Sequence, residues 1–296
     1  MAGPGCPVPY RGIWRPGRFF CGGNAWHMLD EPYQMLDNNI DTIFVKGGDA
    51  NMAYYHCLLF DLDGTLLDFG AAEDAAIHET LAYYGFAQPQ EAVDAYKQIN
   101  SALWAALERG EVRQEKLVVQ RFEKLLADFG VQGDAVAMND HYLTRLSERA
   151  DVYPGSQEVL QELAEVATLA VVTNGVDRVQ AGRLQRSGLA PYFDGVFVSS
   201  RVGASKPARK IFDRALSTLG VENREKVLMI GDSLKADIAG AQNAGLAACW
   251  CDYAGRGLPE GTKATHVIRN LEELYRIVME PEELEHVGSK EKRHQV

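Results

Sequence analysis

Two aspartates stand two positions apart in "LLFDLDGTLLDF", residues 58–69. Asp61 and Asp63 follow the apolar Leu58, Leu59 and Phe60 and precede Gly64-Thr65. A buried strand explains the apolar run and a turn explains the glycine, but neither needs two acids. Three later stretches carry comparable groups. "VVTNG" offers Thr173 and Asn174, "GASKPARKIF" offers Lys206, and "IGDSLKADIAG" offers Asp232 and, five residues on, Asp237. Carboxylates brought together repel and raise each other's pKa. A hard cation removes that cost. Mg2+ takes oxygen ligands in an octahedron and keeps several waters, so one or two carboxylates and a substrate phosphate suit it. A lysine would then meet phosphate oxygens as a point charge, and a threonine would add a hydroxyl donor. Such a set equips a site for phosphoryl transfer.

These groups can act together only if the chain brings them to one place. "YYHCLLF" reads as a short apolar strand ending at Asp61. From Tyr153 strands and helices alternate. "TLAVVT", "GVFVSS", "KVLMIGD" and "GLAACWC" read as strands. Residues 156–166, 176–187, 207–219, 235–244 and 271–279 read as helices, several with apolar residues at helical spacing. This alternation predicts an α/β fold, a Rossmann-like parallel sheet core with helices on both faces. Ligands of such sheets bind beyond the carboxyl ends of the strands. Asp61, Thr173 and Asp232 all fall at such ends.

Residues 72–150 read differently, as mainly helical. Ile77, Leu81 and Tyr84 recur at helical spacing, as do Val118, Phe122, Leu125, Leu126 and Phe129. Gly85, Gly110 and Gly130 punctuate the run, which suggests about four helices of four-helix-bundle type. The domain reading is therefore a core of residues 54–70 and 151–280, with an all-helical cap, 71–150, inserted over the strand ends as a lid.

"DLDGT", "VVTNG", Lys206-Pro207 and "GDSLKAD", in this order, resemble the four motifs of the haloacid dehalogenase-like (HAD) hydrolase superfamily. The resemblance covers nearly all of residues 54–279. It implies that Asp61 is a nucleophile forming an aspartyl-phosphate. It implies that Asp63 is a general acid/base, protonating the leaving alcohol and then activating water. Asp61, the main-chain carbonyl of Asp63, and Asp232 would hold Mg2+, and Thr173 and Lys206 would bind the phosphate. Asp237 would stand behind these groups, orienting Lys206 or a metal-bound water. Asn174 reads either as a turn residue or as a further phosphate donor. Dehalogenating members of the superfamily generally lack the second aspartate, so Asp63 favours a phosphatase.

A closer resemblance is to bacterial YjjG-type pyrimidine 5′-nucleotidases. It rests on "YKQINSALWAALERGEV" and "QRFEKLL" in the cap, and in the core on "VVTNGVDRVQAGRLQRSGLAPYFD", "KPARKIFDRAL" and "LMIGDSLKADIAGAQNAGLAACW". It implies hydrolysis of nucleoside monophosphates such as UMP, dUMP, TMP and non-canonical analogues. The other enzymatic readings are a phosphoglycolate or sugar-phosphate phosphatase and a β-phosphoglucomutase-like enzyme, which uses the same paired aspartates. A phosphate-binding protein without turnover is the reading outside enzymes, and the presence of every expected catalytic group weighs against it. In the cap, Asn100, Trp104 and Arg121 are candidate substrate contacts, because an aromatic ring can stack on a base and an amide can read its edge. Trp104 also lies among Ala102, Leu103, Ala105, Ala106 and Leu107, where packing in the cap interior accounts for it equally well.

The bulk properties narrow the partners. The formal net charge is -11 over 296 residues, which disfavours polymeric nucleic acid and anionic membranes. No apolar stretch reaches about 18 residues, the length a spanning helix needs. Five cysteines without a CxxC motif suggest reduced thiols and a cytoplasmic protein. Residues 1–51, rich in Gly, Pro, Arg and aromatics, read as a disordered extension. "KGGDANM", residues 46–52, adds a sharper expectation, because Lys-Gly-Gly-Asp can be encoded by a purine-rich ribosome-binding sequence. In that reading Met52 is the natural start. "GSKEKRHQV" ends a polar tail, residues 281–296.

Overall fold

The computed structural model describes residues 53–87 and 89–279. The expectations for the leader, for Met52 and for the polar tail lie outside the described residues. Six strands form one sheet: β1 (Cys57–Phe60), β2 (Thr168–Thr173), β3 (Gly195–Val198), β4 (Val227–Gly231), β5 (Ala247–Cys251) and β6 (His266–Ile268). Every pairing is parallel, and the order is β3-β2-β1-β4-β5-β6. β1 is central, with Leu58 in register with Leu169 on one side and Leu228 on the other.

The sheet is apolar on both faces, and the period of two along each strand divides its side chains between two cores. Leu58 and Phe60 join Leu169, Val171, Leu228 and Ile230 beneath α5 (Ser156–Val166) and α10 (Glu273–Met279). Cys57 and Leu59 join Ala170, Val172, Val227 and Met229 beneath α8 (Arg209–Thr218) and α9 (Ala239–Ala244). Cys57, Cys249 and Cys251 are buried free thiols. The order of strands reverses direction at β1, so a crevice opens at the carboxyl ends of β1, β2 and β4, where ligands of such sheets bind.

Between β1 and α5 the chain makes α1 (Phe69–Tyr83), α2 (Pro89–Glu108), α3 (Gln114–Asp128) and α4 (Ala135–Ser147). They form the helical cap, packed on Ala72, Ile77, Tyr96, Phe122, Leu125, Met138 and Tyr142. Asp68 caps α1 by accepting from Ala71 N, and Asp134 caps α4 by accepting from Val136 N and Ala137 N, each cap adding about 1 kcal/mol. The outgoing and returning strands of chain meet where Asp68 N donates to Asp151 O at 2.8 Å. Among the described residues no helix is long and apolar enough to cross a membrane.

Three elements differ from the sequence reading. The strand expected over "GVFVSS" stops at Val198, and Ser199 begins the short α7 (Ser199–Val202). The helix expected over 235–244 starts as a wide turn, Leu234–Ile238, in which Ile238 N reaches back to Ser233 O. β6 was not expected at all. It has three residues, its middle residue Val267 is exposed, and it pairs only with β5, so it lacks the long apolar run of a central strand.

Candidate active site

Asp61 follows β1 directly, its N–H donating to Ile230 O at 2.9 Å, and so stands at the centre of the crevice. Its carboxylate accepts from Lys206 Nζ at 2.7 Å, and the same ammonium donates to Asp237 at 2.7 Å. Lys206 is 2 % exposed and Asp237 is 0 % exposed, so water does little to screen this triad. Burial would lower the pKa of Lys206, but Asp237 and Asp61 more than offset it and hold the lysine above its ordinary range.

Asp232 completes the cluster. One carboxylate oxygen each from Asp61, Asp232 and Asp237 lie within 4.8 Å of one another. Burial, then the Asp237 charge, pushes the Asp232 carboxyl up to about 7. Burial likewise raises Asp61 well above the carboxylate range, with Lys206 opposing and Asp237 and Asp232 adding to it. Two glycines make this crowding feasible. Gly64, at φ 84°, leaves a gap where a Cβ would sit 2.6 Å from Asp232 Oδ2. At Gly231 a Cβ would lie 2.2 Å from Asp237 Oδ2. Asp237 folds back over that gap and accepts from Ser233 N at 3.0 Å, which is why the following helix begins as a wide turn.

Three carboxylates face one lysine, and Asp237 is spent on Lys206 and Ser233. Asp61 and Asp232 remain as oxygen donors whose ionised forms lack a full counter-charge. Hard oxygen donors with excess negative charge fit a divalent cation such as Mg2+.

Thr173 ends β2, is buried, and accepts from Gly175 N at 3.0 Å through its hydroxyl. Asn174 turns its side chain to Lys206. Its Nδ2 donates to Lys206 O at 2.9 Å and its Oδ1 accepts from Lys206 N at 2.8 Å. The side chain therefore holds the backbone of the lysine, so a phosphate donor at this position would be the main-chain N–H of Asn174.

Asp63 does not join the carboxylate cluster. Its side chain meets α6 (Asp177–Arg186), where Gln180 Nε2 donates to one oxygen at 2.5 Å and Arg183 Nη1 pairs with the other. Both partners are buried. Sequence reasoning missed them because α6 reads as a polar surface helix. The signal was available: Val179, Gln180, Arg183 and Leu184 form its inward stripe, and two of the four are polar.

The cap residues Asn100, Trp104 and Arg121 do come together, but chiefly with one another. Asn100 Oδ1 accepts from Trp104 Nε1 at 3.1 Å and from Arg121 Nη1 at 3.0 Å, and Asn100 Nδ2 donates to Glu73 at 2.7 Å. Arg121 Nη2 donates to Asn139 and Nε to Val118 O. Its guanidinium lies 4.6 Å from the Tyr142 ring centroid. Arg121 thus faces its own cap, with each nitrogen engaged inside the bundle. Trp104 keeps a partly exposed surface. Among the bonds that link cap and core are those from Gln114 Nε2 to Asn174 O at 2.6 Å and from Ser233 Oγ to Glu108 at 3.4 Å.

A profile of haloacid dehalogenase-like hydrolases matches residues 55–245, which takes in every motif of the crevice. The chain belongs to this family of hydrolases. Among its relatives is the pyrimidine 5′-nucleotidase PynA of Streptococcus pneumoniae, 40% identical over 67% of this chain and 84% of that protein. The pyrimidine 5′-nucleotidase YjjG of Escherichia coli is 33% identical over 75% of this chain and 96% of its own length. The magnesium-bound crystal structure of the HAD-hydrolase YfnB from Bacillus subtilis matches with a TM-score of 0.71 at 37% identity, covering 75% of this chain and 98% of that one. This hydrolase therefore shares both its core and its helical cap with close relatives.

Proposed function

We propose that the protein is a Mg2+-dependent phosphomonoester hydrolase whose substrates are pyrimidine nucleoside 5′-monophosphates. The observation that carries the reading is the cluster of buried Asp61, Asp237 and Lys206 with half-buried Asp232 at the end of β1, with a second aspartate two residues on. The nucleotide preference is supported by PynA and YjjG, both pyrimidine 5′-nucleotidases.

Asp61, Asp232 and the main-chain carbonyl of Asp63 would hold Mg2+, which supplies positive charge against the phosphate and the carboxylates. Lys206 and the Thr173 hydroxyl bind phosphate oxygens. Asp61 attacks phosphorus, and the bond from phosphorus to the 5′-oxygen breaks. That oxygen leaves as an alcohol with a proton from Asp63. Water then gives a proton to Asp63 and attacks the aspartyl-phosphate. The bond to Asp61 breaks, inorganic phosphate departs, Asp61 is restored as a carboxylate and Asp63 as the carboxylic acid.

Phosphate release from UMP, dUMP, TMP, phosphoglycolate and hexose phosphates, with Mg2+ and with EDTA, tests the reading. We expect the nucleotides to be hydrolysed best and EDTA to abolish turnover. The Asp61→Asn substitution should lower turnover on the order of 10^4-fold or more. Faster turnover of phosphoglycolate or a hexose phosphate would overturn the substrate class. Retained turnover in D61N would overturn the nucleophile.

A further inference from the structure

We propose that Gln180 and Arg183 are positioning residues that set the orientation of the Asp63 carboxylate during both proton transfers. The inference rests on the reading of Asp63 as the proton-transferring group. Asp63 lies in a tight turn after β1, and among the described residues its side-chain hydrogen bonds come only from α6. The fixing comes from α6, 117 and 120 residues away in sequence, through one donor to each carboxylate oxygen.

The two α6 side chains are themselves held. Arg183 Nε donates to Arg149 O at 3.1 Å, and its guanidinium lies 5.9 Å from the Phe69 ring. Gln180 packs over Gly175, where a Cβ would come within 1.7 Å of its Nε2. That glycine belongs to the stretch carrying Thr173 and Asn174, so phosphate-binding and proton-transferring groups share one scaffold.

Neither side chain is fully satisfied there. Among the described residues Gln180 Oε1 and Arg183 Nη2 are buried without hydrogen-bond partners. A buried polar atom left unpaired costs stability. Leucine or methionine on this inward stripe would avoid that cost. What Gln180 and Arg183 supply instead is two donors aimed at one carboxylate. A general acid acts only within hydrogen-bond reach of the atom it protonates, so a carboxylate free to rotate would lose rate before affinity.

Leaving-group chemistry separates positioning from general support of the fold. p-Nitrophenolate leaves without a proton, whereas the 5′-oxygen of UMP needs one. Attack of water on the aspartyl-phosphate needs Asp63 for either substrate. In Gln180→Leu we expect kcat for UMP to fall about 100-fold with KM little changed. With p-nitrophenyl phosphate the same variant should release one equivalent of nitrophenolate per active site in a burst, followed by slow turnover, and an acid quench should trap the phosphorylated Asp61. UMP should give no burst. Arg183→Lys keeps the cation but not the fork that spans Arg149 O and Asp63, and should behave alike, so the test does not hang on one variant folding. Equal proportional losses on both substrates without a burst, or wild-type rates in both variants, would overturn the proposal. Failure of the wild-type protein to hydrolyse either substrate would instead strike the phosphatase reading itself.

Discussion

The core and the cap each bury a cation among polar side chains, and they do so in opposite ways. In the core, Lys206 stands among Asp61, Asp232 and Asp237, with burial and mutual repulsion raising the Asp61 and Asp232 carboxyls. In the cap, Arg121 is surrounded by the neutral amides of Asn100 and Asn139, by aromatic faces, and by one carboxylate, Glu73, reached through Asn100. The cap cluster closes on itself in charge and engages every Arg121 nitrogen, although the Tyr96 and Tyr142 hydroxyls beside it have no hydrogen-bond partner among the described residues. The core cluster carries more negative charge than its lysine can neutralise. A closed network specifies packing, whereas an open one is stable only with something added to it. The difference between the clusters, more than either alone, separates the site that binds from the scaffold that holds it.

Removing the cation from each cluster tests this most severely. Lys206→Met and Arg121→Met each leave buried acceptors unpaired and should each cost about 3–5 kcal/mol in urea unfolding. Their other effects should diverge. Folded K206M should lose turnover, while folded R121M should keep kcat close to wild type. A folded R121M protein with kcat reduced as far as K206M would break the distinction and return Arg121 to the substrate site.

Asp232→Asn probes the core alone, with a smaller effect of opposite sign. It removes one of the mutually repelling carboxylates, whose pKa is pushed up to about 7. Without Mg2+ and at pH 8, where the wild-type group is ionised, D232N should be more stable than wild type by about 1 kcal/mol. Thermal unfolding should show Mg2+ stabilising the wild-type protein, by about 2.7 kcal/mol at a hundredfold excess over Kd, and D232N far less. Equal stabilisation of both proteins by Mg2+ would place the ion elsewhere.

The central strands and the four motifs were legible in the sequence because each is a local signal, an apolar run ending in a polar group. Leu58–Phe60 and Val227–Ile230 could hardly be anything but buried strands. The helical cap was legible from periodicity. What stayed hidden was pairing across long separations. Asn174 and Lys206 each announced themselves as site residues, yet nothing local says that the amide of one holds the backbone of the other. Gln180 and Arg183 look solvent-facing until the sheet places Asp63 beneath them. Arg121 and Asn100 stand 21 residues apart, and nothing local says that one bonds the other inside the cap. β6 was missed because a three-residue edge strand gains its structure from Cys249–Cys251 and not from its own residues.

Trp104 gives the finest test of the contrast, because it belongs to the cap network by its nitrogen and yet is partly exposed. Trp104→Phe removes the bond to Asn100 Oδ1, which still accepts from Arg121, so the loss in stability should be only about 0.5–1 kcal/mol. The ring face that could stack on a base is largely kept in phenylalanine. If Trp104 is only packing, Trp104→Phe and Trp104→Leu should differ in stability and leave KM for UMP alone. If its exposed face receives the base, Trp104→Phe should hold KM within about threefold, while Trp104→Leu raises it by about tenfold, the order expected for one lost base–aromatic stack. Ribose 5-phosphate, which has no base, should be hydrolysed alike by both variants in either case. A KM for UMP unmoved by Trp104→Leu would assign the whole cluster to the scaffold and require a different part of the cap to read the base.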